Sequence, residues 1–460
     1  DPMQEFEDEC LWSFGYSFDF LALDDFDDDG TDGGTLVNDV TGNANTGSVI
    51  NRRPRSANAY PFEFGEVCKS NWYLKFLHPS VRERTYHLSS RDRFGDFRSL
   101  FRMTLEKVDD LVSLFISNNW IYQTKHCRLE EEMHIKAELH ILAMLKVLGH
   151  HSPFRTLRID TNICASEHRT FFHYFISKMH SIRHQFITYP STEEELQKIT
   201  SRYEENFLPG CGGSVDVVHV KWSKCPAGDY NRCKGKEGYP SVCFEVITGY
   251  DCQVLSVSSV HFGTRNDQHI VRTDETVNRI CTGWYKNVKW NCFDEFGNDQ
   301  EDCEIYLICD GGYLLWPQLV CPYKHEGVST RKGYFSSHVE SIRKDVECVF
   351  GIMKTRWKIL DYGIRFRDIS DAEKIFVVCC ILHNNMLTEM ESKESDVRVG
   401  QGVPLEEVGV WLRGNERSFQ TNANQLMSIL WGRRRSNLAD HVYYYAKKAK
   451  SSRQSSLILN

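Results

Sequence analysis

Apolar residues recur with two different spacings along this chain, and the spacing changes near residue 210. Between about residues 65 and 210 they follow the period of an α-helix. Residues 213–222, 241–249 and 253–262 are instead runs of β-branched and aromatic residues separated by short turns. These runs predict three successive strands of an antiparallel meander.

After the meander, helical and strand patterns alternate. The sequence predicts a helix over 267–282, a strand over 304–308, and helices over 336–359 and 371–389. Strands that are followed by alternating helices and strands are typical of an α/β layer fold. We therefore expect a mixed sheet that is flanked by helices.

The helical region contains a candidate helix-turn-helix at residues 137–179. Its first helix is predicted over 137–148, its second starts near Phe154, and its third starts at Ser166, a favourable N-cap. The third helix carries Arg169, which would contact DNA if this helix entered a groove. A plain helical bundle explains the same pattern, so both alternatives stay open.

Charge divides the chain unevenly. The whole protein has 55 Lys and Arg against 63 Asp and Glu, a net charge of −8, which by itself argues against a nucleic-acid partner. However, 13 of the acidic residues and no Lys or Arg lie within residues 1–51. Residues 52–460 therefore carry 55 basic and 50 acidic side chains, a net charge of +5 that no longer excludes nucleic acid.

Composition and pattern together predict four parts. Residues 1–60 form a disordered acidic tail, 61–208 a helical domain, 209–392 the α/β domain, and 393–460 a C-terminal region with a basic tail. The longest apolar run, 375–382, is much shorter than the ~20 residues of a membrane helix, so we expect no membrane association.

Four acidic residues occupy positions at which acidic side chains are unusual or are available to ligands. Asp216 lies inside the first predicted strand, Asp267 follows the third, Asp310 ends the fourth, and Glu347 lies inside the long helix. Each also has an ordinary structural explanation: Asp267 as a helix N-cap, Asp310 as a turn residue, and Glu347 as the partner of Arg343 in a helical ion pair. Asp216 is the hardest to explain in this way, because an unpaired carboxylate in a strand is costly.

A helical wheel of the long helix separates an apolar stripe from a charged flank. At about 100° per residue, Arg343, Glu347 and Lys354 fall together beside the stripe, which places Glu347 at the edge of the sheet rather than in solvent. The stripe consists of Val339, Ile342, Val346, Val349, Met353, Trp357 and Leu360.

Clustered carboxylates repel one another, and a divalent cation is the usual remedy. Hard oxygen ligands favour Mg²⁺ or Mn²⁺ over zinc. Two such ions can activate a water or a 3′-hydroxyl and stabilise the leaving oxygen of a phosphodiester.

Taken together, these motifs resemble PIF/Harbinger-type transposases, which are DDE-superfamily endonucleases, in the form found in plant transposon proteins. The motifs are Gly213-Ser214-Val215-Asp216 with His219 and Trp222, then Phe262-Gly263 with Asn266-Asp267, Asp310-Gly311-Gly312-Tyr313, Arg343 to Gly351 around Glu347, and Ile381-Leu382-His383-Asn384. They occur in the order of the family across about residues 205–390.

The resemblance implies an RNase H-like catalytic core that uses two divalent ions, Mg²⁺ or Mn²⁺. It implies a catalytic triad of Asp216, Asp310 and Glu347, with Asp267 as a fourth metal ligand. Arg343 and Lys354 would contact DNA phosphates or hold Glu347. His219 would support Asp216, contact DNA, or play a purely structural part.

The implied reaction is cleavage of double-stranded DNA at transposon ends, followed by joining of 3′-hydroxyls to target DNA in the nucleus. The implied partners are the terminal repeats, the target DNA, a Myb-like helper protein and further copies of this chain. Arg433, Arg434 and Arg435 near the C-terminus suit phosphate contact or nuclear import, although a solvated helix explains them equally well. The alternatives are a domesticated DNA- or chromatin-binding protein without catalysis, and a metal nuclease that cuts without joining.

Overall fold

A computed structural model describes residues 67–82, 91–120, 130–300, 303–327, 330–391 and 420–458. All of them lie in one compact unit, Pro61–Asn460. The predicted acidic tail, 1–60, lies outside the described residues.

Helices occupy most of the described chain before residue 206, as the apolar spacing predicts. Thr192 forms a capping box with Glu195, and Thr104 accepts a hydrogen bond from the Lys107 amide, which explains two of the helix starts. The helices are α1 Arg91–Phe101, α2 Leu105–Ser117, α3 Glu130–His150, α4 Phe154–Thr161, α5 Ala165–Ser181 and α6 Glu193–Glu205.

Helix α5 begins slightly earlier than the sequence predicts. Asn162 ends α4 in the left-handed conformation, with φ of 57°, and only Ile163 and Cys164 separate it from α5. The N-cap is therefore Cys164, and the prediction of Ser166 as N-cap is wrong by two residues. A three-residue turn between two helices is within the range seen in helix-turn-helix motifs.

The described strands form one mixed sheet in the order β3-β2-β1-β5-β6, with β4 paired to the far end of β2. The meander β1-β2-β3 is antiparallel, whereas β5 and β6 run parallel to β1. The strands are β1 Cys211–Lys221, β2 Ser241–Thr248, β3 Val254–Val257, β4 His261–Phe262, β5 Tyr306–Ile308 and β6 Leu319–Val320. A mixed sheet within an α/β fold is thus confirmed.

Two details of the sheet differ from the prediction. The third run is divided into β3 and β4 because the Glu245 amide donates to the Ser258 hydroxyl rather than to a strand carbonyl, which interrupts the ladder. Strand β6 was not predicted, since two residues are too short to show a period.

The second half of the described chain supplies helices that cover the sheet. The predicted helix 267–282 is two short helices, because Asp274 caps a new one by accepting from the Val277 amide at 2.8 Å. The long helix ends at Arg356 and resumes after Trp357. These helices are α7 Tyr230–Cys233, α8 Asp267–Ile270, α9 Glu275–Cys281, α10 Arg331–Arg356, α11 Lys358–Tyr362, α12 Ile369–Glu391 and α13 Gln420–Ile458.

The apolar stripe of the long helix is confirmed. All seven predicted residues are buried, with Met353 and Trp357 at 1% and 0% exposure. On α12, the Phe376 ring stacks on Phe244 of β2 with centroids 4.1 Å apart. This contact packs α12 against β2 of the sheet. Within the described ranges, none of the helices is both long and apolar enough to cross a membrane.

Candidate functional site

The sheet brings Asp216 and Asp310 to neighbouring strands. In the parallel pair of β1 and β5, Ser214 lies opposite Ile308, and each aspartate comes two residues later in its own strand direction. Neighbouring strands are ~4.8 Å apart, so the two positions lie side by side at the end of β5. Asp216 is near the centre of the sheet because β1 has a partner on each side.

Asp267 joins this pair through the start of α8. A methyl group added at Gly312 would lie 3.0 Å from Asp310 Oδ1 and 3.2 Å from Asp267 Oδ2, so both carboxylates border the same small space. Asn266 provides the N-cap of α8, since its side chain accepts from the His269 amide at 3.0 Å. The N-cap explanation for Asp267 is therefore wrong, and its carboxylate is left to face Asp310.

The carboxylates perturb one another. Burial raises the pKa of Asp216 to about 6, and the charges of Asp310 and Asp267 add to the rise. Burial and Asp310 likewise raise the pKa of Asp267. The Asp310 carboxylate accepts a 2.8 Å hydrogen bond from the Gly312 amide, so its turn role is also real. Three acidic side chains from separate parts of the sequence thus share one electrostatic environment.

Among the described residues, Glu347 is connected to this environment through Arg343. The Arg343 guanidinium lies 2.9 Å from Glu347 Oε1 and 3.6 Å from Asp216 Oδ2, which makes it a bridge between β1 and α10. The Glu347 side chain is 51% exposed, so the predicted placement away from solvent is wrong. The helical ion pair with Arg343, the structural alternative for Glu347, is present.

The four acidic side chains have the chemistry of a divalent-cation site, but they are too far apart to form a closed one. All four side chains offer hard oxygen ligands, and the mutual repulsion that adds to the burial-raised pKa of Asp216 and Asp267 is relieved when a cation binds. In the part of the chain that the structure describes, no three Asp, Glu, His or Cys side chains are close enough together to hold a metal ion. The structure therefore shows a facing pair, Asp267 and Asp310, with Asp216 beside it.

His219 lies on β1, three residues after Asp216, and Lys354 lies on α10. The His219 Nδ1 is 3.3 Å from the Ser241 hydroxyl, and burial lowers the pKa of His219, with Lys236 and Lys354 lowering it further. The partly buried Lys354 is thus within electrostatic reach of His219. His219 contacts Ser241, and its role at the site stays a prediction.

The basic residues predicted to bind DNA outside the sheet have different surroundings. Arg169 is exposed at the start of the second turn of α5, 6.0 Å from the Phe154 ring. Arg434 instead donates to the Pro317 carbonyl at 2.9 Å and to Glu304 at 2.8 Å. Arg435 is 7% exposed and stacks on the rings of Tyr323 and Trp431, at 3.4 and 4.6 Å.

The contacts of Arg434 and Arg435 anchor α13 to the α/β part. Arg433, the third arginine of the run, also makes an interaction within the protein. The solvated-helix alternative is therefore wrong for Arg434 and Arg435, and their guanidinium groups are occupied internally.

One acidic residue of the site was missed. Glu245 lies in β2 opposite Val217, is 1% exposed, and neither of its carboxyl oxygens has a hydrogen-bond partner in the described structure. Burial, reinforced by the charge of Asp274, raises the pKa of Glu245 to about 9, so the group is neutral at pH 7. The Tyr313 hydroxyl is its polar neighbour but is not at hydrogen-bonding geometry. The rule that singled out Asp216, an acid within an apolar strand, applies equally to Glu245.

Comparison with known proteins places the site in a family context. Residues 185–395 match the family model described as plant transposon protein. The Arabidopsis thaliana protein named ALP1-like is 24% identical over 229 residues, which cover 48% of this chain and 53% of that protein. A second Arabidopsis thaliana protein, Antagonist of Like Heterochromatin Protein 1, is 21% identical over 245 residues, covering 48% of this chain and 55% of that protein. No solved structure matches the chain.

The α/β fold, the acidic residues around its sheet and the match over residues 185–395 support a protein of the transposase-derived class. Within that class, the resemblance to PIF/Harbinger-type transposases is confirmed. The chain spans about half the length of the curated relatives that it matches.

Proposed function

We propose that this protein is a DNA endonuclease and strand transferase that cuts phosphodiester bonds at transposon ends and joins the 3′-hydroxyls to target DNA. The observation that carries the proposal is the convergence of Asp267 and Asp310 on the space beside Gly312, with Asp216 coupled to both. The sheet order 3-2-1-5-6, with β2 antiparallel to its neighbours, supports an RNase H-like core. In such a core the acidic residues of adjacent strands supply the catalytic ligands.

In this proposal Asp216, Asp267 and Asp310 bind the cations, and Glu347 completes the set from α10. Arg343 holds Glu347 and neutralises part of the charge of Asp216 through its two contacts. Two ions of Mg²⁺ or Mn²⁺, when bound, would supply activation of the attacking water or 3′-hydroxyl and stabilisation of the leaving oxygen. The loop at Gly311 and Gly312 keeps Asp310 oriented through the Gly312 amide.

The remaining parts of the proposal concern partners and location. The three-residue turn before α5 and the exposed Arg169 support a helix-turn-helix that contacts terminal-repeat DNA. We further propose that the protein acts in the nucleus as a homo-oligomer, together with a Myb-like helper protein.

A nicking assay tests the proposal. The full chain is incubated with Mg²⁺ or Mn²⁺ and a supercoiled plasmid that carries the inverted repeats flanking its own gene. We expect Asp310→Asn and Glu347→Gln each to lower nicking by at least about 100-fold. Asp299→Asn changes an exposed aspartate of the loop before β5 and is expected to leave nicking unchanged. Nicking that needs no metal, or that survives both site substitutions, refutes the proposal.

A second candidate function is a DNA- or chromatin-binding protein without catalysis. It is favoured by the open arrangement, in which Arg343 already pairs with Glu347 and Asp216. One relative is also named as an antagonist of a heterochromatin protein. DNA binding in the gel-shift format without any metal-dependent nicking selects this candidate. Cutting without joining, measured with a labelled target plasmid, instead selects a simple nuclease.

A further inference from the structure

The carboxylates create an electrostatic problem for a DNA substrate. A phosphate backbone that approaches Asp216, Asp267 and Asp310 meets like charge unless cationic side chains stand beside them. Arg343 is committed to Asp216 and Glu347, and Arg434 and Arg435 are held elsewhere in the fold. Besides the partly buried Lys354, the candidate cations that would receive the backbone therefore lie on other elements.

The loop between α7 and β2 supplies one such cation and is firmly placed. The Thr264 amide and hydroxyl both donate to the Arg232 carbonyl, at 3.3 and 2.7 Å, and the Arg232 guanidinium lies 3.9 Å from the Phe262 ring centroid. A Cβ at Gly235 would come within 2.3 Å of the Gly263 carbonyl oxygen, so the two backbones are in close contact. These contacts fix the loop against residues 262–264, which precede Asp267.

Lys236 follows Gly235 on this loop. It is exposed, and it acts electrostatically on both Asp267 and His219. It therefore lies near Asp267, on a loop whose backbone contacts Gly263 through Gly235.

Lys324 lies beside Gly311, the residue after Asp310. Its Nζ is 3.4 Å from the Gly311 carbonyl oxygen, and a Cβ at Gly311 would lie 2.7 Å from the Lys324 Cε. The exposed ammonium thus lies over the residue that follows Asp310. The two lysines come from different loops and border the two carboxylates that face each other.

We infer that Lys236 and Lys324 bind backbone phosphates of DNA on the two sides of the Asp267–Asp310 pair, and so position the strand over the carboxylates. This inference rests on the proposed function for its ligand. The lysines act as positioning residues, because neither contacts a reacting atom in the structure.

The salt dependence of DNA binding tests this inference. Fluorescence anisotropy measures the Kd of the full chain for a labelled duplex of its terminal repeat, in chelator, between roughly 50 and 200 mM salt. Each phosphate contact contributes about 0.9 to the slope of log K against log salt, so Lys236→Gln and Lys324→Gln should each lower the slope by about 0.9. The slope of the variant with both glutamines should be lower than that of the wild type by about 1.8. The slopes of Lys236→Arg and Lys324→Arg should equal that of the wild type. Lys286→Gln, at an exposed lysine of the loop after α9, is the matched control.

The outcomes separate the inference from the proposed function. The inference is overturned if Lys236→Gln and Lys324→Gln both have the same salt slope as Lys286→Gln, even if the wild type nicks DNA. The absence of any duplex binding by the wild type overturns it as well. Lysine-dependent slopes in a protein that never nicks DNA support the inference and count against the endonuclease. Urea unfolding of each variant shows whether a lower salt slope comes from a loss of folding stability.

Discussion

The buried Glu245 allows a stability prediction whose size follows from the structure. Its carboxyl is 1% exposed and its pKa rises from 4.5 to about 9, mainly through burial. Between these values the folded protein holds one proton that the unfolded chain has lost. Stability from this group is therefore full below pH 4.5 and falls as pH rises toward 9.

Replacing Glu245 with Gln removes this titration while keeping the shape of the side chain. The stability difference between Glu245→Gln and wild type should grow by about 1.4 kcal/mol per pH unit. Over the interval from pH 4.5 to about pH 7.5 the gain reaches about 4 kcal/mol. The unmet hydrogen bonds of the buried amide add a constant penalty to Glu245→Gln, which does not change with pH.

The assay is urea unfolding followed by tryptophan fluorescence, at several pH values between about 5 and 8.5 and with a chelator present. Histidines with lowered pKa, such as His383 at about 4, affect both proteins equally and cancel in the difference. Glu340→Gln, at an exposed position of α10, should show no such growth with pH. A Glu245→Gln difference that is constant across this range would mean that Glu245 is ionised in the folded state, and the reasoning would fail.

Three further substitutions test the packing of the site and its support. Gly312→Ala places a methyl group 3.0 Å from Asp310 Oδ1. We expect it to lower nicking and the rise in Tm caused by Mn²⁺ more than it lowers the Tm of the metal-free protein; equal losses in all three would contradict this. Asn384→Ala removes one hydrogen bond to the Phe186 carbonyl and two to the Val254 backbone, and should cost about 2–4 kcal/mol in urea unfolding, whereas a cost below about 1 kcal/mol argues against that anchoring role. Gly351→Ala meets no atom within 4 Å on an exposed face of α10 and should add about 0.5–1 kcal/mol by the same assay; a loss of stability would show hidden strain.

The sequence was sufficient for elements whose signal is periodic. The apolar stripe of the long helix was predictable because seven of its residues recur at helical spacing. Strands β1 and β2 were predictable because their apolar runs are long. The two-residue β6 and the break at Asp274 were not, since one depends on pairing with β5 and the other on a single cap. Neither a two-residue strand nor a single cap leaves a period in the chain.

The site shows the same division between local and tertiary information. An acid within an apolar strand is visible in the sequence, which is why Asp216 was found and Glu245 could have been. The exposure of Glu347 was not visible, because the helical wheel gives its angle on α10 but not the position of Arg343 between it and Asp216. The two acids in strands also differ in a way that only burial decides. Asp216 keeps 22% of its side chain exposed and has a cationic neighbour, whereas Glu245 has neither exposure nor a cation in contact among the described residues. A carboxylate suited to bind a cation and a carboxyl held neutral therefore lie on adjacent strands, and only the first can serve the proposed chemistry as a ligand.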